Sequence, residues 1–499
     1  MRQNIALGIM LAGHNILLTG QAGSGKTFVL NEFIKRARAN GKSVAVTATT
    51  GLAATHLSGS TIHAWSGVGI HDELPKSFFD HLPKTRADTI KKADILIIDE
   101  ISMLHDFRLD LINQIVQKVR KNLEPFGGLQ VILCGDFFQL PPVNRGGARG
   151  GFVVNSQAWQ DLNPTICYLS EQHRQTDNEL LDILSAMRAG DLRQKHGRNL
   201  LGRIDAPIGT EVTELHTTNE DVDAINHAAL LMLPAEERTF PMLITGKANY
   251  VDTLKKSCLA QENLILKVGA LVMFIKNSPD KRYVNGSIGV VESFEDLTGY
   301  PIVKLQNGKT VVASPDTWEL RDGDKKRASI TQLPLRLAWA ITVHKSQGMT
   351  LDAARIDLRR AFVEGMGYVA LSRVRSLETL SLAGINRMAL KVSPEALKID
   401  KMLLQKSADA AEYHANLAVD LSAPVEQTTK SKVSWGEKVA KMRETYENAF
   451  KPWTKADDEK LLKMFEQQKS VASISEKLGR QPGSIRARLK KHLGEDVEV

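Results

Sequence analysis

Short apolar runs separated by longer mixed stretches dominate the first part of the chain. The runs lie at residues 16–19, 43–48, 93–98, 131–134 and 165–169, and each has the length of a buried strand. Between the third and the fourth run, apolar residues recur at helical spacing, which predicts a helix from Phe107 to Lys121. Buried strands that alternate with helices predict an α/β fold built on a parallel sheet.

The second part of the chain starts a similar pattern and then interrupts it. Residues 212–219 predict a strand, and the apolar positions that follow continue in helical register, which indicates a second α/β core. From about residue 250 to about residue 325 the pattern changes to short alternating runs separated by turn dipeptides such as Asn285-Gly286. These features predict a small β-barrel inserted into the second core. The core pattern returns with the apolar run at 335–343.

The last part of the chain predicts a helical module after a polar linker. Apolar positions form three helix faces, at Leu461, Leu462 and Phe465, at Val471, Ile474 and Leu478, and at Ile485 and Leu489. The expected domains are a first core at 1–180 with a small insertion at about 66–92, a second core at 181–400 with the β insertion at about 250–325, a linker at 401–451 and a three-helix module at 452–499.

Composition and charge are those of an ordinary soluble protein. The 499 residues are 42% hydrophobic and 24% charged, and the net charge of +8 fits a polyanionic partner without requiring one. Three scattered cysteines, Cys134, Cys167 and Cys258, indicate neither a disulfide framework nor a zinc site. No apolar run approaches the roughly 20 residues of a membrane span. We therefore expect no membrane partner and a cytoplasmic location, nucleoid-associated in a bacterium and nuclear or organellar in a eukaryote.

The first apolar run leads into a glycine-rich turn that predicts a phosphate-binding loop. The sequence G-x-x-x-x-G-K-T spans Gly20 to Thr27, and a helical pattern starts at Phe28. Glycines in such a turn let successive backbone N–H groups face phosphates, and the helix N-terminus adds partial positive charge. The expected ATP contacts are Gly20, Gly23, Ser24, Gly25, Lys26 and Thr27, with Lys26 on the β- and γ-phosphates and the Thr27 hydroxyl on Mg²⁺.

Two adjacent carboxylates, Asp99 and Glu100, follow the third apolar run. Because neighbouring side chains of a strand point to opposite faces, one carboxylate is free for the metal and the other for water. We assign Asp99 to Mg²⁺ and Glu100 to polarising the attacking water. Gln139 follows the fourth run just before paired prolines. Its neutral amide suits a residue that senses the γ-phosphate without competing as a base.

Hydroxyl, imidazole and indole side chains follow the second apolar run. Thr50, Thr61, His63 and Trp65 come after its carboxyl end, and this end of a strand lies on the ligand-binding edge of an α/β sheet. They suit contact with a nucleic-acid backbone or stacking on a base. The alternative is that the hydroxyls cap a helix and that Trp65 packs in the core.

The motifs follow one another in a specific order. After the phosphate-binding loop come Thr50-Gly51-Leu52-Ala53-Ala54, then Asp99-Glu100-Ile101-Ser102-Met103, then Pro125-Phe126-Gly127-Gly128-Leu129-Gln130, and then Gly135-Asp136-Phe137-Phe138-Gln139-Leu140-Pro141-Pro142. This series, with F-G-G-L-Q just before G-D-F-F-Q-L-P-P, resembles the superfamily 1B DNA helicases of the PIF type (petite integration frequency). The resemblance covers Met1 to about Asn386. It implies two RecA-like cores, with an SH3-like subdomain as the β insertion.

The resemblance also implies roles that individual residues do not reveal. It places Gln3 on the adenine and Gln347 and Gly348 at the nucleotide. It also places Arg174 and Arg373 on the phosphates as arginine fingers. The run His344-Lys345-Ser346 matches a DNA-contacting motif whose side chains offer hydrogen bonds to a phosphodiester. The expected nucleic-acid contacts are therefore Thr50, Thr61, His63, Asn219, His344, Lys345 and Ser346.

The C-terminal helix faces resemble a Myb or helix-turn-helix module. Basic residues are concentrated in the last predicted helix and the segment just before it, namely Arg480, Arg486, Arg488, Lys490 and Lys491. Such charge suits non-specific contact with the phosphates of duplex DNA. A protein-binding three-helix domain with a solvated basic face is the alternative.

Together these features predict an ATP- and Mg²⁺-dependent DNA helicase. We expect a monomer that translocates 5′ to 3′ on single-stranded DNA, unwinds duplex junctions and serves DNA repair, recombination or replication. The direction comes from the resemblance alone. One alternative is a DNA-bound ATPase switch that does not unwind, and another is the DNA-stimulated ATPase subunit of a RecD-like nuclease complex.

Overall fold

The chain forms two compact units, Met1–Glu426 and Gln427–Val499, in a computed structural model. The structure describes residues 1–57, 59–69, 72–142, 144, 150–172, 177–209, 212–258, 260–276, 278, 280, 282–283, 286–305, 308–322, 325–421, 442–443, 445–449, 451–467 and 469–493. Within this part of the chain, no helix combines the length and apolar character needed to cross a membrane.

A parallel sheet organises the first part of the chain, as the apolar runs predict. Its strands are β1 (Ile16–Gly20), β2 (Val44–Ala48), β3 (Ser60–Thr61), β4 (Ile95–Asp99), β5 (Gln130–Cys134) and β6 (Thr165–Leu169). The order across the sheet is β3-β2-β4-β5-β1-β6, and every pair of neighbours is parallel. The carboxyl ends of β1, β4 and β5 therefore meet at one edge, where the phosphate-binding loop, the paired carboxylates and Gln139 emerge.

Helices cover this sheet and supply its amphipathic layers. They are α1 (Gln3–Leu11), α2 (Lys26–Ala39), α3 (Gly51–His56), α4 (Ile62–Ser66), α5 (Lys84–Lys92), α6 (Asp106–Arg120), α7 (Gln157–Leu162), α8 (Asn178–Ala189) and α9 (Gln194–Leu201). Helix α6 lies within one residue of its predicted bounds, and it buries the apolar side that includes Leu109, Ile112 and Val116. The small insertion expected near 66–92 contains α5.

A second parallel sheet follows, with β7 (Thr213–His216), β18 (Ala340–Thr342), β19 (Ala354–Leu358) and β20 (Leu380–Ile385) in the order β18-β7-β19-β20. Its helices are α10 (Asn219–Met232) and α12 (Met366–Leu371), and α13 (Pro394–Tyr413) comes after its last strand. Helix α13 runs across residue 400, where the second core was expected to end. The α/β class with two parallel sheets is as predicted, whereas the domain boundaries stay predictions.

Antiparallel strands fill the sequence between β7 and β18. The strands are β8 (Arg238–Pro241), β9 (Leu243–Gly246), β10 (Asn263–Leu266), β11 (Leu271–Phe274), β12 (Ile288–Phe294), β13 (Pro301–Leu305), β14 (Thr310–Val312), β15 (Asp316–Asp322), β16 (Lys325–Gln332) and β17 (Leu335–Leu337), with helix α11 (Ala248–Ser257) among them. In the described part they form sheets ordered β14-β13-β12-β11-β17, β15-β16-β9 and β10-β8. This β region starts and ends about 12 residues outside the expected interval of 250–325.

The second compact unit includes the helices α14 (Lys455–Glu466), α15 (Val471–Leu478) and α16 (Pro482–Leu493). Leu461, Ile474, Leu478, Ile485 and Leu489 form its apolar core. The expected basic face is only partly correct, because two of its members are engaged inside the unit.

Arg480 is 3% exposed, lies over the Trp453 ring at 4.3 Å and donates to the carbonyl oxygens of Lys451 and Pro452. Arg488 forms a two-pronged ion pair with Asp458 at 2.7 and 2.6 Å. These two guanidiniums hold the helices together and do not face an external phosphate.

Two glycines in helices of the first compact unit provide a stability test of the packing in that unit. A Cβ at Gly367, in α12, would lie 2.7 Å from the carbonyl carbon of Ala389, so Gly367→Ala forces the backbone apart and should cost about 1–3 kcal/mol or more. A Cβ at Gly197, in α9, meets nothing within 4 Å, so Gly197→Ala should add roughly 0.5–1 kcal/mol through helix propensity. Chemical unfolding of the full chain checks both, and equal effects would contradict the packing at α12.

Candidate active site

The phosphate-binding loop adopts a backbone that its glycines require. Gly20, Gly23 and Gly25 have φ values of 144°, 87° and 84°, a region that L side chains rarely occupy. A Cβ at Gly20 would also lie 2.7 Å from the Leu169 carbonyl oxygen. Helix α2 begins at Lys26, directly after the loop, so its first backbone N–H groups point toward the loop interior.

Lys26 and Ser24 place polar groups inside this loop. The Lys26 ammonium donates to the carbonyl oxygens of Gly20 at 2.8 Å and Gln21 at 3.0 Å. Burial lowers the pKa of Lys26, and the nearby Asp136 charge opposes that shift. The Ser24 hydroxyl is fully buried, and it has no hydrogen-bond partner among the described residues. Buried polar atoms need partners, so the loop fits an acceptor-rich ligand such as a polyphosphate.

The adenine-reading residue expected from the resemblance lies beside the same loop. Gln3, at the start of α1, is buried, and its side-chain amide donates to the Ser24 carbonyl oxygen at 3.0 Å. The contact fixes Gln3 against the loop. Its role toward adenine stays a prediction.

The two carboxylates stand at the end of β4, as predicted. Glu100 has a left-handed backbone with φ 54°, and its N–H donates to the Asp99 carboxylate at 2.8 Å. Burial raises the pKa of Asp99. Burial and then the Asp99 charge raise the pKa of Glu100 to about 7. A carboxylate of that pKa is well matched to accept a proton from water near neutral pH.

Gln347 joins the two sheets at this site. Its side-chain amide, just after β18 of the second sheet, donates to the Glu100 carboxylate at 2.8 Å and to the Gln139 side-chain oxygen at 3.0 Å. Gln139 follows β5 of the first sheet. The contacting groups thus come from both sheets. Gln347 was expected to face the nucleotide, but its hydrogen bonds to Glu100 and Gln139 could not be predicted from the sequence.

A cavity of about 330 Å³ brings most of the predicted ATP residues together. Its lining includes Gly23, Gly25, Lys26, Thr27, Asp99, Glu100, Gln139, Gly348 and Arg373. Cys134, Thr350 and Arg375 also line it, and sequence reasoning missed them. Arg375 lies two residues after Arg373, and this proximity to an expected arginine finger was the available signal. The lining has the cations, donors and carboxylates that phosphoryl transfer uses.

The metal position predicted for Mg²⁺ combines one hydroxyl, Thr27, with one carboxylate, Asp99, and both line the cavity. Across the described residues, no group of three or more His, Cys, Asp or Glu side chains could hold a metal ion by itself. Mg²⁺ usually keeps waters and phosphate oxygens and takes only one or two protein carboxylates. The residues present therefore fit Mg²⁺ that arrives with a nucleotide, where it would neutralise phosphate charge.

One of the two expected arginine fingers is held beside the cavity by backbone contacts. Arg373 lines the cavity and is 1% exposed, and its guanidinium donates to the carbonyl oxygens of Val369, Ser346 and Met349. These contacts orient it beside the phosphate loop. Arg174 lies outside the described residues.

The first group of expected DNA contacts lies around β2 and β3. The Thr50 and Thr61 hydroxyls accept hydrogen bonds from the N–H groups of Ala53 and Ala64, so both also serve as caps of short helices. A capping hydroxyl still has a proton to donate. Burial, followed by the charges of Arg108 and His105, lowers the pKa of His63 to about 4. His63 is therefore neutral at pH 7.

The expectation that Trp65 touches nucleic acid is wrong, because its side chain is buried. It is 7% exposed and belongs to the main apolar core, so it has no face on which a base could stack. The alternative reading of Trp65 as a packed residue is correct, because the short helix α4 turns it inward.

The second group of expected DNA contacts lies around β18 and α10. The Lys345 ammonium donates to the Asn219 side-chain oxygen at 2.9 Å, which places these two residues side by side. Burial lowers the pKa of His344. Ser346 differs from the expectation because it is 0% exposed and its hydroxyl donates to the Val343 carbonyl at 2.8 Å. Its side chain is turned away from any external strand.

Comparisons with known proteins agree with this geometry. A family model described as PIF1-like helicase matches residues 2–197, and one described as DNA helicase Pif1, 2B domain matches residues 249–294. The chain is 41% identical over 475 residues to an ATP-dependent DNA helicase Pif1 of a Psychrobacter strain, covering 83% of this chain and 72% of that protein. It spans 62–65% of the length of the vertebrate relatives it matches.

Solved structures give the same result. The crystal structure of Pif1 helicase from Candida albicans matches with a TM-score of 0.70 and 33% identity, over 80% of this chain and 98% of that one. A Bacteroides Pif1 bound to single-stranded DNA matches with a TM-score of 0.61 and 32% identity, over 82% and 97% of the two chains. On the family models, the identities and the shared architecture, the chain belongs to the PIF1-like helicase family.

Proposed function

We infer that this chain is an ATP-dependent DNA helicase. The observation that carries the inference is the bridge at Gln347, which bonds to Glu100 and Gln139 beside the phosphate-binding loop. A cavity lined from two sheets changes shape when one sheet moves relative to the other, so nucleotide occupancy can drive motion. A translocating motor needs this coupling of nucleotide occupancy to motion, whereas a static phosphate-binding site does not need it.

Different residues of the ATP site have different roles in ATP hydrolysis. Glu100 accepts the proton of the attacking water, and Gln139 orients that water. Lys26, Arg373 and Arg174 stabilise the charge on the transferring phosphoryl group. Bound Mg²⁺, held by Thr27 and Asp99, would supply charge neutralisation.

Single-stranded DNA is the substrate track that we propose. Thr50, Thr61 and His63 contact it from the first sheet, and Asn219, His344 and Lys345 contact it from the second. The relative from Bacteroides whose structure holds single-stranded DNA supports this assignment. By membership of the family, we also propose 5′-to-3′ movement, action as a monomer, and service in repair, recombination or replication. The C-terminal unit is proposed to bind duplex DNA or a protein.

A matched pair of carboxylate changes tests the hydrolytic role of Glu100. Glu100→Gln should lower the kcat of ATP hydrolysis by about 10²–10⁴-fold while ATP still binds, because the amide cannot accept the proton of water. Asp94→Asn also converts a carboxylate into an amide, but Asp94 lies just before β4, at the edge of the sheet opposite to Glu100. This control variant should leave kcat within about twofold of the parent. Steady-state hydrolysis and equilibrium ATP binding give both numbers. Equal loss in the two variants would remove Glu100 from the catalytic role.

A lysine change tests the proposed DNA track. Lys345→Ala should weaken binding of a single-stranded oligonucleotide and reduce the slope of log Kd against log salt by about 0.7, the value for one phosphate contact on a single strand. Lys118→Ala removes an exposed lysine from α6 and should change neither. Fluorescence anisotropy at several salt concentrations measures this, and identical slopes for both variants would exclude Lys345 from the track.

Strand displacement tests unwinding and its direction together. With ATP and Mg²⁺, the purified chain should unwind a duplex with a 5′ single-stranded tail and leave 3′-tailed and blunt duplexes paired. Preference for the 3′ tail would contradict the proposed direction. ATP turnover without unwinding of any duplex would favour the DNA-bound switch or a missing partner chain.

A further inference from the structure

The side chain of Tyr368 reaches the phosphate-binding loop from the other sheet. Tyr368 belongs to α12, beside the second sheet, and is 1% exposed. Its hydroxyl oxygen accepts a hydrogen bond of 3.1 Å from the backbone N–H of Ala22, between Gly20 and Gly23. None of the roles assigned to the ATP site uses this contact. It connects the loop backbone directly to an element 346 residues away.

Two charged groups fix the position of this hydroxyl. Arg188, in α8, donates to it at 3.0 Å, and the hydroxyl donates in turn to the Asp136 carboxylate at 3.3 Å. Burial raises the pKa of Tyr368 to about 12, so the phenol keeps the proton that it donates. Its hydrogen bonds to Ala22, Arg188 and Asp136 use the donor and both acceptor positions of the oxygen. The orientation of the hydroxyl is therefore fully determined.

Arg188 is held just as firmly. It is 5% exposed and donates to both Asp136 oxygens at 2.8 Å, to the Tyr168 hydroxyl at 2.7 Å and to Asp400 at 3.1 Å. Its guanidinium lies 4.2 Å from the centre of the Phe138 ring. A planar guanidinium with this many partners does not rotate freely. The Tyr368 hydroxyl is therefore held by a fixed guanidinium while it accepts a hydrogen bond from the backbone of the glycine-rich loop.

The location of α12 makes the contact relevant to the nucleotide. The same segment continues to Arg373, which lines the ATP cavity. A shift of α12 that moves Arg373 therefore also moves the acceptor of the Ala22 N–H group. Since Gly20, Gly23 and Gly25 give the loop little conformational restraint of its own, an external acceptor selects among its conformations.

We propose that Tyr368 is a positioning residue that sets the conformation of the phosphate-binding loop from the second sheet, making ATP affinity depend on the position of α12. The proposal rests on the proposed function, because it concerns the ATP site of that activity. The hydroxyl touches no reacting atom. Its loss should weaken binding of the ground state and the transition state equally, and so raise KM without lowering kcat.

A pair of tyrosine-to-phenylalanine variants tests this in the full chain. Tyr368→Phe should raise the KM for ATP about three- to tenfold, the usual effect of losing one buried hydrogen bond, with kcat within about twofold of the parent. Tyr168→Phe removes the other hydroxyl bound to Arg188, and that hydroxyl also contacts Asp400 but not the loop. Tyr168→Phe should leave KM within about twofold of the parent. Equal rises of KM in both variants, or none in either, would overturn the proposal.

Hydrogen exchange provides the direct readout. The Ala22 amide of the nucleotide-free parent should exchange slowly, and Tyr368→Phe should speed it at least about tenfold while Tyr168→Phe does not. Rapid exchange in the parent would overturn the proposal even if Tyr368→Phe failed to fold. A parent that hydrolyses no ATP with DNA present would instead refute the proposed function, since amide exchange is measured without turnover.

Discussion

The buried guanidinium of Arg188 connects four separate segments of the first compact unit through its hydrogen bonds. A charge taken out of water costs several kcal/mol unless its surroundings replace the lost hydration. Burial alone would lower the pKa of Arg188, yet Asp136 and the other acceptors around it raise that pKa well above its usual value. Those acceptors lie after β5, on β6, on α12 and on α13. The full set of acceptors around this charge therefore assembles only when all four segments are in place.

This constraint explains why the ATP site forms between two sheets and not on one. The carboxyl ends of β1, β4 and β5 deliver the loop, the carboxylates and Gln139, as any parallel sheet of this order would. The segments held by Arg188 then bring the second sheet close enough for Gln347 to reach Glu100. That hydrogen bond favours the charged carboxylate, whereas burial and the Asp99 charge raise its pKa. The basicity of Glu100 is therefore a balance between contributions from both sheets.

Sequence reasoning succeeded where the chemistry is local and failed where packing decides. The loop at Gly20–Thr27 and the Asp99-Glu100 pair are contiguous, so residue types alone predict their geometry. Tyr368 and Ala22 are 346 residues apart, and no periodicity or spacing predicts that they meet. Trp65 and Ser346 lie in motifs rich in ligand-binding residue types, yet the tertiary structure buries both. A motif therefore locates a site better than it tells which side chains face the ligand.

The same limit applies to charge. Arg480 and Arg488 stand among basic residues that suggest a phosphate-binding face, but Trp453 and the acidic start of α14 engage them. Arg373 is even more buried than Arg188 and, like Arg480, donates to backbone oxygens, yet it lines a cavity with Lys26. What distinguishes Arg373, for which we propose a role in the ATP site, from Arg188 and Arg480 is the space beside it, not its exposure or its hydrogen bonds. That space exists at Arg373 because elements of both sheets contribute to the walls.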